Sequence, residues 1–205
     1  MEPSDAAEAI SELGEGEKEK SAENRFRGRA ALVIAVMAML LAITSLGGGN
    51  VAEDIVANNI QAGNLWSFYQ AKNARQTSYK LAADELGTEI QLHQGSMTPE
   101  LRRSLEAKIK QYEETVARYE SEPDKGEGKK ELSERARSFE AERDRALKQD
   151  TSFDLAEALF QIAIVLASVA ILSSSRMILR LAVVLGAAAA VLMLNGFFML
   201  FTLPL

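Results

Sequence analysis

Three long apolar stretches constrain the fold of this chain more than any other feature. Residues 30–46, 155–172 and 181–203 contain no Asp, Lys or Arg, and their only carboxylate is Glu157, near one end of the second stretch. Helices of soluble proteins keep a polar face, whereas these stretches are apolar on all sides. At about 1.5 Å per residue, each is about long enough to cross a hydrocarbon core of roughly 30 Å. The sequence therefore predicts an all-α integral membrane protein with three transmembrane helices.

Arginines beside these stretches predict their orientation. Three arginines within residues 25–29 precede the first stretch, and Arg176 and Arg180 lie between the second and the third. Cytoplasmic flanks of membrane spans are enriched in Lys and Arg, and three crossings from a cytoplasmic N-terminus place both clusters on that side. The segment before the first span is long and acidic, unlike the short basic start of a signal peptide. We therefore expect an uncleaved anchor, with residues 47–154 outside the cytoplasm.

Composition divides the chain into five parts. The first 23 residues hold eight acidic and two basic side chains, so we expect residues 1–29 to form a disordered acidic cytoplasmic tail with a basic flank. Residues 30–46 are the predicted first transmembrane helix, and residues 47–154 an extramembrane helical hairpin. Residues 155–174 and 175–205 are the predicted second and third transmembrane helices.

The first arm of the predicted hairpin carries a coiled-coil-like pattern. We expect the glycines at residues 47–49 to end the first span and Asn50 to cap a new helix that runs to Gln94. Apolar and aromatic residues recur in this arm at 4-3 spacing, with polar interruptions. This seam comprises Asn58, Ala62, Leu65, Tyr69, Lys72, Gln76, Tyr79, Ala83, Leu86, Ile90 and His93.

The second arm returns to the membrane in two pieces. Thr98 and Pro99 supply an N-cap and a first-turn proline, and the segment Pro123–Gly128 interrupts the arm. The first arm has 44 residues and the two pieces of the second together have 48. These similar lengths predict one long hairpin, because the second span starts directly after the second arm. A thin pair of helices with a polar seam buries little surface, so we expect several chains to associate.

The segment from Asn58 to Gln76 is the most distinctive part of the chain. Amides, aromatic rings and two cations occupy every side of the predicted helix, where an ordinary solvated face would carry Glu and Lys. With its continuation through residues 77–84, it resembles the uncharacterised bacterial membrane proteins grouped as domain of unknown function 4337. The resemblance extends over most of the chain after about Asn24 and implies a three-span bacterial membrane protein, without a reaction or ligand. Together with the arginines, it predicts an inner-membrane location with a periplasmic hairpin.

We expect contacts between chains on two surfaces. In the third span, Ala182, Gly186 and Ala190 form a ridge of small residues that allows helices to approach closely, and Asn195 offers an interhelical hydrogen bond. The second surface is the amide-aromatic segment. Its candidate residues are Asn58, Asn59, Gln61, Asn64, Trp66, Phe68, Tyr69, Asn73, Gln76 and Tyr79. Alternatively, its aromatic rings form a belt at the membrane interface, if the helix lies flat after the glycines.

Residues suited to catalysis are scarce. The chain has no cysteine and one histidine, His93, and it lacks phosphate-loop, zinc-protease and nucleophile-elbow motifs. A net charge of −6 argues against nucleic acid as a partner, because phosphate binding needs a basic surface. We expect no enzymatic activity, no cofactor and no bound metal.

Two kinds of function fit this pattern. The first is a structural or interaction protein that forms homo-oligomers in the lipid bilayer and presents its hairpin to an envelope or membrane protein partner. The alternative is a pore-forming or transport-accessory subunit, whose oligomeric spans enclose a pathway. The polar seam and the three glycines favour this alternative, and the lack of charged residues for a lining argues against it.

Overall fold

Four helices make up the described part of the chain. The computed structural model describes residues 3–203, and the side chains of residues 21–203. Helix α1 spans Pro3–Leu92, α2 spans Pro99–Glu120, α3 spans Lys129–Leu172 and α4 spans Arg176–Phe198. No strand occurs within residues 3–203. The predicted all-α fold class is confirmed.

Helix α1 continues through the three glycines at residues 47–49. The predicted helix end at these glycines and the predicted N-cap at Asn50 are therefore wrong. Packing explains the difference, because a Cβ atom on Gly47 would lie 2.8 Å from the ring of Phe153 and 2.9 Å from the ring of Phe197. Gly47 thus allows two aromatic rings to approach the helix, rather than ending it in a left-handed cap.

The start of α1 also differs from the prediction. The helix begins at Pro3, so residues 3–29 are helical, where the sequence predicted a disordered tail over residues 1–29. Met1 and Glu2 of that predicted tail lie outside the described residues. Ala, Glu and Lys, which have high helix propensity, supply much of this segment.

The tip between α1 and α2 lies where the sequence predicted it. The Thr98 hydroxyl accepts a hydrogen bond from the Leu101 N–H at 3.3 Å, and Pro99 occupies the first turn of α2. Helix α2 ends at Glu120 and α3 begins at Lys129. The predicted interruption of the second arm is therefore confirmed.

Helix α3 runs on to Leu172 without a break, as predicted, and Ser175 caps α4. The Ser175 hydroxyl accepts a hydrogen bond from the Ile178 N–H at 3.5 Å. Helix α4 covers 176–198 of the predicted third span, and residues 204–205 of that prediction lie outside the described residues.

The chain forms two compact units. The span unit contains the residues up to Glu53 and from Ala146 onward, and the hairpin unit contains Asp54–Arg145. Helices α1, α3 and α4 are each long and apolar enough to cross a membrane, in agreement with the three predicted spans. The core of the span unit consists of Met37, Ala156, Phe160, Ala163, Ala189 and Met193.

In the hairpin unit, α1 packs against α2 and α3. The Gln76 amide donates to Glu120 at 2.9 Å, and Trp66 Nε1 donates to Glu140 at 2.8 Å. Of these two α1 residues, the earlier one, Trp66, contacts the later residue of the returning arm. The two arms are therefore antiparallel, as the matched arm lengths predicted. The knobs-into-holes packing of a coiled coil stays a prediction.

Candidate functional site

The seam of α1 forms the inner side of the hairpin unit. Every seam position from Asn58 to Ile90 is buried or half-buried, and His93 is exposed. The 4-3 spacing therefore located the packed side of this helix. Four candidate contact residues lie on this side: Asn58, Tyr69, Gln76 and Tyr79.

Trp66 and Tyr69 are engaged within the chain. The Trp66 indole N–H donates to Glu140 Oε1 at 2.8 Å. The rings of Trp66 and Tyr69 meet edge to face with their centroids 5.5 Å apart, an arrangement that contributes about 0.5–1.5 kcal/mol beyond surface burial. Both rings are half-buried, whereas Phe68 is exposed. The chain thus supplies partners for Trp66 and Tyr69, and the contacts between chains expected for the three rings stay a prediction.

The remaining amide residues of the segment do not lie on the packed side of α1. Asn59, Gln61, Asn64 and Asn73 are all exposed. The Asn59 amide oxygen accepts a hydrogen bond from Arg143 Nη1 at 3.4 Å, at the long end for such a bond. The structure thus separates the predicted residues into a packed set and an exposed, amide-rich set.

A polar cluster of Lys72, Gln76, Glu120 and Lys129 joins the helices of the hairpin unit, and all of its members except Glu120 are buried. Only 2% of Gln76 is exposed. Its Nε2 donates to the Val116 carbonyl and to Glu120 Oε2, each at 2.9 Å, and its Oε1 accepts from Lys129 Nζ at 2.8 Å. Lys129 Nζ also donates to Glu120 Oε2 at 3.0 Å. The buried amide therefore uses both its donors and its acceptor.

Lys72 is the second buried cation of the cluster, with 5% of its surface exposed. Its Nζ lies 3.6 Å from a Glu127 oxygen and 3.8 Å from a Glu122 oxygen. The ring centroids of Phe68 and Tyr119 are 5.3 Å and 5.6 Å from the same atom. Two carboxylates and two aromatic faces thus compensate the desolvation of this ammonium group.

Glu131 and a glycine hold the loop beside the polar cluster. The Glu131 carboxylate accepts hydrogen bonds from the Ser121 hydroxyl and, at 3.2 Å, from the Glu122 N–H. A Cβ atom on Gly128 would lie 2.6 Å from the Ser121 Cα, so the loop has no room for a side chain there. Helix α3 consequently starts next to α1, with its first residue in the cluster.

Hydrogen bonds lower the pKa of two carboxyl groups in this region. The Gln76 amide and then the Lys129 ammonium hold the pKa of Glu120 below its ordinary value. The Ser121 hydroxyl has the same effect on the pKa of Glu131. Both carboxylates are therefore negatively charged at neutral pH, and Glu120 balances the charge of Lys129.

Nearer the tip, three tyrosines join α1 to α2. The Tyr79 ring lies 5.4 Å from the Tyr112 ring and 6.0 Å from the Tyr119 ring, between centroids. Helix α2 has no fully buried residue within Pro99–Glu120. Two open grooves of about 530 and 550 Å³ flank the contact, the first lined by Arg75 and Tyr79 and the second by Val116.

In the span unit, Asn195 joins α4 to α3. Its Nδ2 donates to the Ser152 hydroxyl at 3.0 Å, and its Oδ1 accepts from the Phe201 N–H at 2.8 Å. Asn195 and Ser152 are both buried. The predicted interhelical hydrogen bond is confirmed, and it forms within one chain.

The ridge of small residues on α4 is covered as well. Ala182 and Gly186 are buried and Ala190 is half-buried. A Cβ atom on Gly186 would collide with the end of the Met37 side chain of α1. Within one chain, Met37 therefore covers the ridge at Gly186, and the contact of the ridge with a second copy stays a prediction.

Two polar residues of the second span face outward instead. Gln161 and Ser168 are exposed and lie seven residues apart on one side of α3, with Val165 between them, 62% exposed. The Ser168 hydroxyl donates to the Ile164 carbonyl at 2.9 Å, so it is satisfied inside its own helix. The outward-facing amide of Gln161 remains the distinctive polar group of this surface.

Within the described residues, no three His, Cys, Asp or Glu side chains come together as a metal site. The exposed His93 has its Nδ1 3.2 Å from the Glu89 carbonyl oxygen, at the tip end of α1.

Most of the chain matches one family model. Residues 26–199 match the model described as Domain of unknown function (DUF4337). The chain belongs to this family. The resemblance drawn from the amide-aromatic segment is thereby confirmed. No curated protein and no solved structure is significantly similar to this DUF4337 chain.

Sequence reasoning missed part of the polar cluster of this DUF4337 protein. Lys72 lay on the predicted seam, and a cation in a packed stripe was a signal of a buried ion pair. Glu120 and Lys129 gave no such signal, because they flank the α2–α3 loop and only the fold brings them to Gln76. Ser152, the partner of Asn195, likewise had no local signature.

Proposed function

We propose that this DUF4337 protein is a membrane-embedded, homo-oligomeric structural or interaction protein that presents its hairpin unit outside the bilayer. The observation that carries the proposal is the outward-facing amide of Gln161. This residue is the seventh of the 18 in the apolar stretch 155–172, close to the middle of the bilayer core. An unpaired amide in an apolar medium costs about 2–7 kcal/mol. A second copy of α3 removes this cost by an amide–amide hydrogen bond.

The construction of the hairpin unit supports a role in presentation. The polar cluster and the three tyrosines join α1 to the returning arm, so the hairpin unit is a packed structure rather than an unstructured loop. Exposed ion pairs such as Arg102–Glu106, at 2.9 Å, suit an aqueous location for α2. The open grooves beside Tyr79 offer a place for an envelope or membrane protein partner.

The two arginine clusters support the orientation of this proposal. An excess of arginine before the first span and between the second and third places both connections in the cytoplasm. The hairpin unit of a bacterial inner-membrane protein then lies in the periplasm. A Ser133→Cys variant in the natural cysteine-free chain should react with a membrane-impermeant maleimide in intact spheroplasts. If the variant reacts only after the membrane is broken, the hairpin unit lies in the cytoplasm and the proposed orientation is wrong.

Cross-linking through the second span tests the oligomer. Val165 of α3 and Val184 of α4 are similarly exposed, at 62% and 64%. Val165 lies on the same side of α3 as Gln161, whereas Val184 belongs to another helix and serves as the control. In native membranes, we expect the Val165→Cys variant to form disulfide-linked dimers and the Val184→Cys variant to remain largely monomeric. Adding Gln161→Leu should reduce the Val165→Cys dimer. Equal and low cross-linking of both variants would contradict the proposal.

A pore-forming or transport-accessory role is the second candidate. Gln161 and Ser168 on one outward side of α3 favour it, because an oligomer could enclose them as a polar lining. Proteoliposomes containing the protein would then leak ions or small solutes, and Gln161→Leu would reduce the leak. An unchanged permeability relative to empty liposomes would rule this candidate out.

A further inference from the structure

An exposed, uncharged stripe runs along the outer side of α1 in the hairpin unit. It has the same 4-3 spacing as the seam, and each of its residues precedes a seam residue by two positions. Two residues correspond to about 200° around a helix, so the stripe lies opposite the packed side. Its exposed members include Val56, Ile60, Gly63, Ser67, Ala74 and Leu81.

The composition of this outer stripe is unlike that of a solvated helix. No charged residue occurs from Ile55 to Ala71, a run of 17 residues. Val56 and Ile60 are 58% and 55% exposed, so two large apolar side chains lie side by side without cover from their own chain. Charged side chains, by contrast, dominate the outer face of α2, as the exposed Arg102 and Glu106 illustrate.

The hydroxyl groups on the stripe are satisfied within the helix. Ser67 Oγ donates to the Gly63 carbonyl at 2.9 Å, and Thr77 Oγ1 donates to the Asn73 carbonyl at 3.0 Å. Nothing lies within 4 Å of a Cβ atom built on Gly63. The stripe is therefore free of charged side chains at its centre, where Gln70 adds one exposed amide, and the open space at Gly63 allows the close approach of another helix.

Amides border the stripe on both sides. Asn59 and Asn73 lie along one edge and Asn64 along the other, and all three are exposed. A primary amide carries both donors and acceptors, so it can pair with an identical amide. Lys80 is the charged residue at this border, near the Leu81 end.

We propose that the outer stripe of α1, from Val56 to Leu81, binds the same stripe of a second copy in parallel and in register. The inference rests on the proposed homo-oligomer. Copies that cross one membrane in the same orientation hold α1 parallel to α1, so each residue meets its own counterpart. Such a contact excludes charged residues, which would face like charges, and accepts apolar, small and amide residues. The outer stripe meets this requirement, and the exposed faces of α2 do not.

Introduced cysteines test the contact directly, because the natural chain has none. Ser67 lies on the stripe, and Ser138 is an exposed serine of α3 in the same unit; each donates its hydroxyl to a carbonyl of its own helix. A disulfide requires Cα atoms about 4.4–6.8 Å apart. In native membranes under mild oxidation, the Ser67→Cys variant should form a dimer of twice the chain mass, and the Ser138→Cys variant should not.

A charge placed on the stripe provides a second readout. Ala74→Lys in the Ser67→Cys background should lower the dimer fraction by about tenfold, because two ammonium groups would meet. Ala107→Lys, at an exposed alanine of α2, should leave the fraction unchanged. Equal effects of the two lysines would overturn the inference.

The cross-links distinguish this inference from the proposal on which it rests. If Val165→Cys forms dimers while Ser67→Cys cross-links no more than Ser138→Cys, the oligomer stands and the stripe is not its contact. If neither Val165→Cys nor Ser67→Cys forms dimers, the homo-oligomer itself is refuted. A Ser67→Cys product whose mass differs from that of a dimer would show that another protein covers the stripe, and would also overturn the inference.

Discussion

Replacing the glycines at residues 47–49 one at a time by alanine should give stability changes of opposite sign. A Cβ atom on Gly49 meets nothing within 4 Å, so Gly49→Ala should stabilise the helix by about 0.5–1 kcal/mol through helix propensity alone. A Cβ atom on Gly47 would lie 2.8–2.9 Å from the rings of Phe153 and Phe197. Overpacking of this kind costs about 1–3 kcal/mol. After the propensity gain is subtracted, Gly47→Ala should destabilise the protein by up to about 2 kcal/mol.

Unfolding in mixed micelles, followed by circular dichroism, measures this difference. Gly48 provides an intermediate control, because a Cβ atom there would lie 3.4 Å from the Phe153 side chain, an ordinary contact distance. Gly48→Ala should therefore keep most of the propensity gain and behave like Gly49→Ala rather than Gly47→Ala. If the glycines ended the helix in a left-handed cap, Gly49→Ala would destabilise the protein instead. That result would refute a continuous α1.

Three further predictions concern the packed sites. Gly186→Leu should destabilise the span unit by roughly 1–3 kcal/mol through a clash with Met37. Ala187→Leu, at an exposed position, should not destabilise it. The unfolding midpoints of the two variants in detergent measure this difference. Gln76→Leu should speed hydrogen exchange in α2 relative to the natural chain, because the Val116 carbonyl and Glu120 of α2 lose their hydrogen bonds to α1. Unchanged exchange would argue against the polar cluster. The lowered pKa of Glu120 stabilises the fold above the ordinary value of 4.5, and this contribution is lost as the pH falls through the folded-state pKa. Glu120→Gln should therefore flatten the stability profile below about pH 5, and an unaltered profile would contradict the assignment.

The sequence identified features that depend on local periodicity. The apolar stretches around Met37 and Phe160 are visible as windows with at most one charged residue, and the 4-3 seam from Asn58 to Ile90 identifies the side of α1 that packs. The cap at Thr98 and the interruption before Lys129 follow from turn chemistry within a few residues. Each of these signals is local, so a single sequence was enough.

Features that depend on distant residues were missed. Gly47 was expected to end a helix because its partners, Phe153 and Phe197, lie more than 100 residues further along the chain. Gly186 was assigned to a contact between chains because Met37, which covers it, cannot be recognised from the α4 pattern. Small residues signal a close approach but do not identify the helix that approaches.

The same limit applies to the hairpin unit. Trp66 was expected to need a second chain, whereas Glu140 accepts its indole hydrogen bond. The exposed amides and the outer stripe became distinguishable from the seam only when the packed side of α1 was established. The proposed self-association accordingly involves one side of α1 rather than the whole amide-aromatic segment.

Native mass spectrometry of the protein released from lipid nanodiscs tests the proposed homo-oligomer most directly. The chain has a mass of 22.4 kDa, so an assembly appears as a whole-number multiple of that mass. Self-association through α1 and α3 predicts a dimer or larger oligomer for the natural protein. The Gln161→Leu and Ala74→Lys double variant should shift the population to the monomer. A natural protein that appears only at 22.4 kDa, in nanodiscs formed directly from native membranes, would contradict homo-oligomerisation.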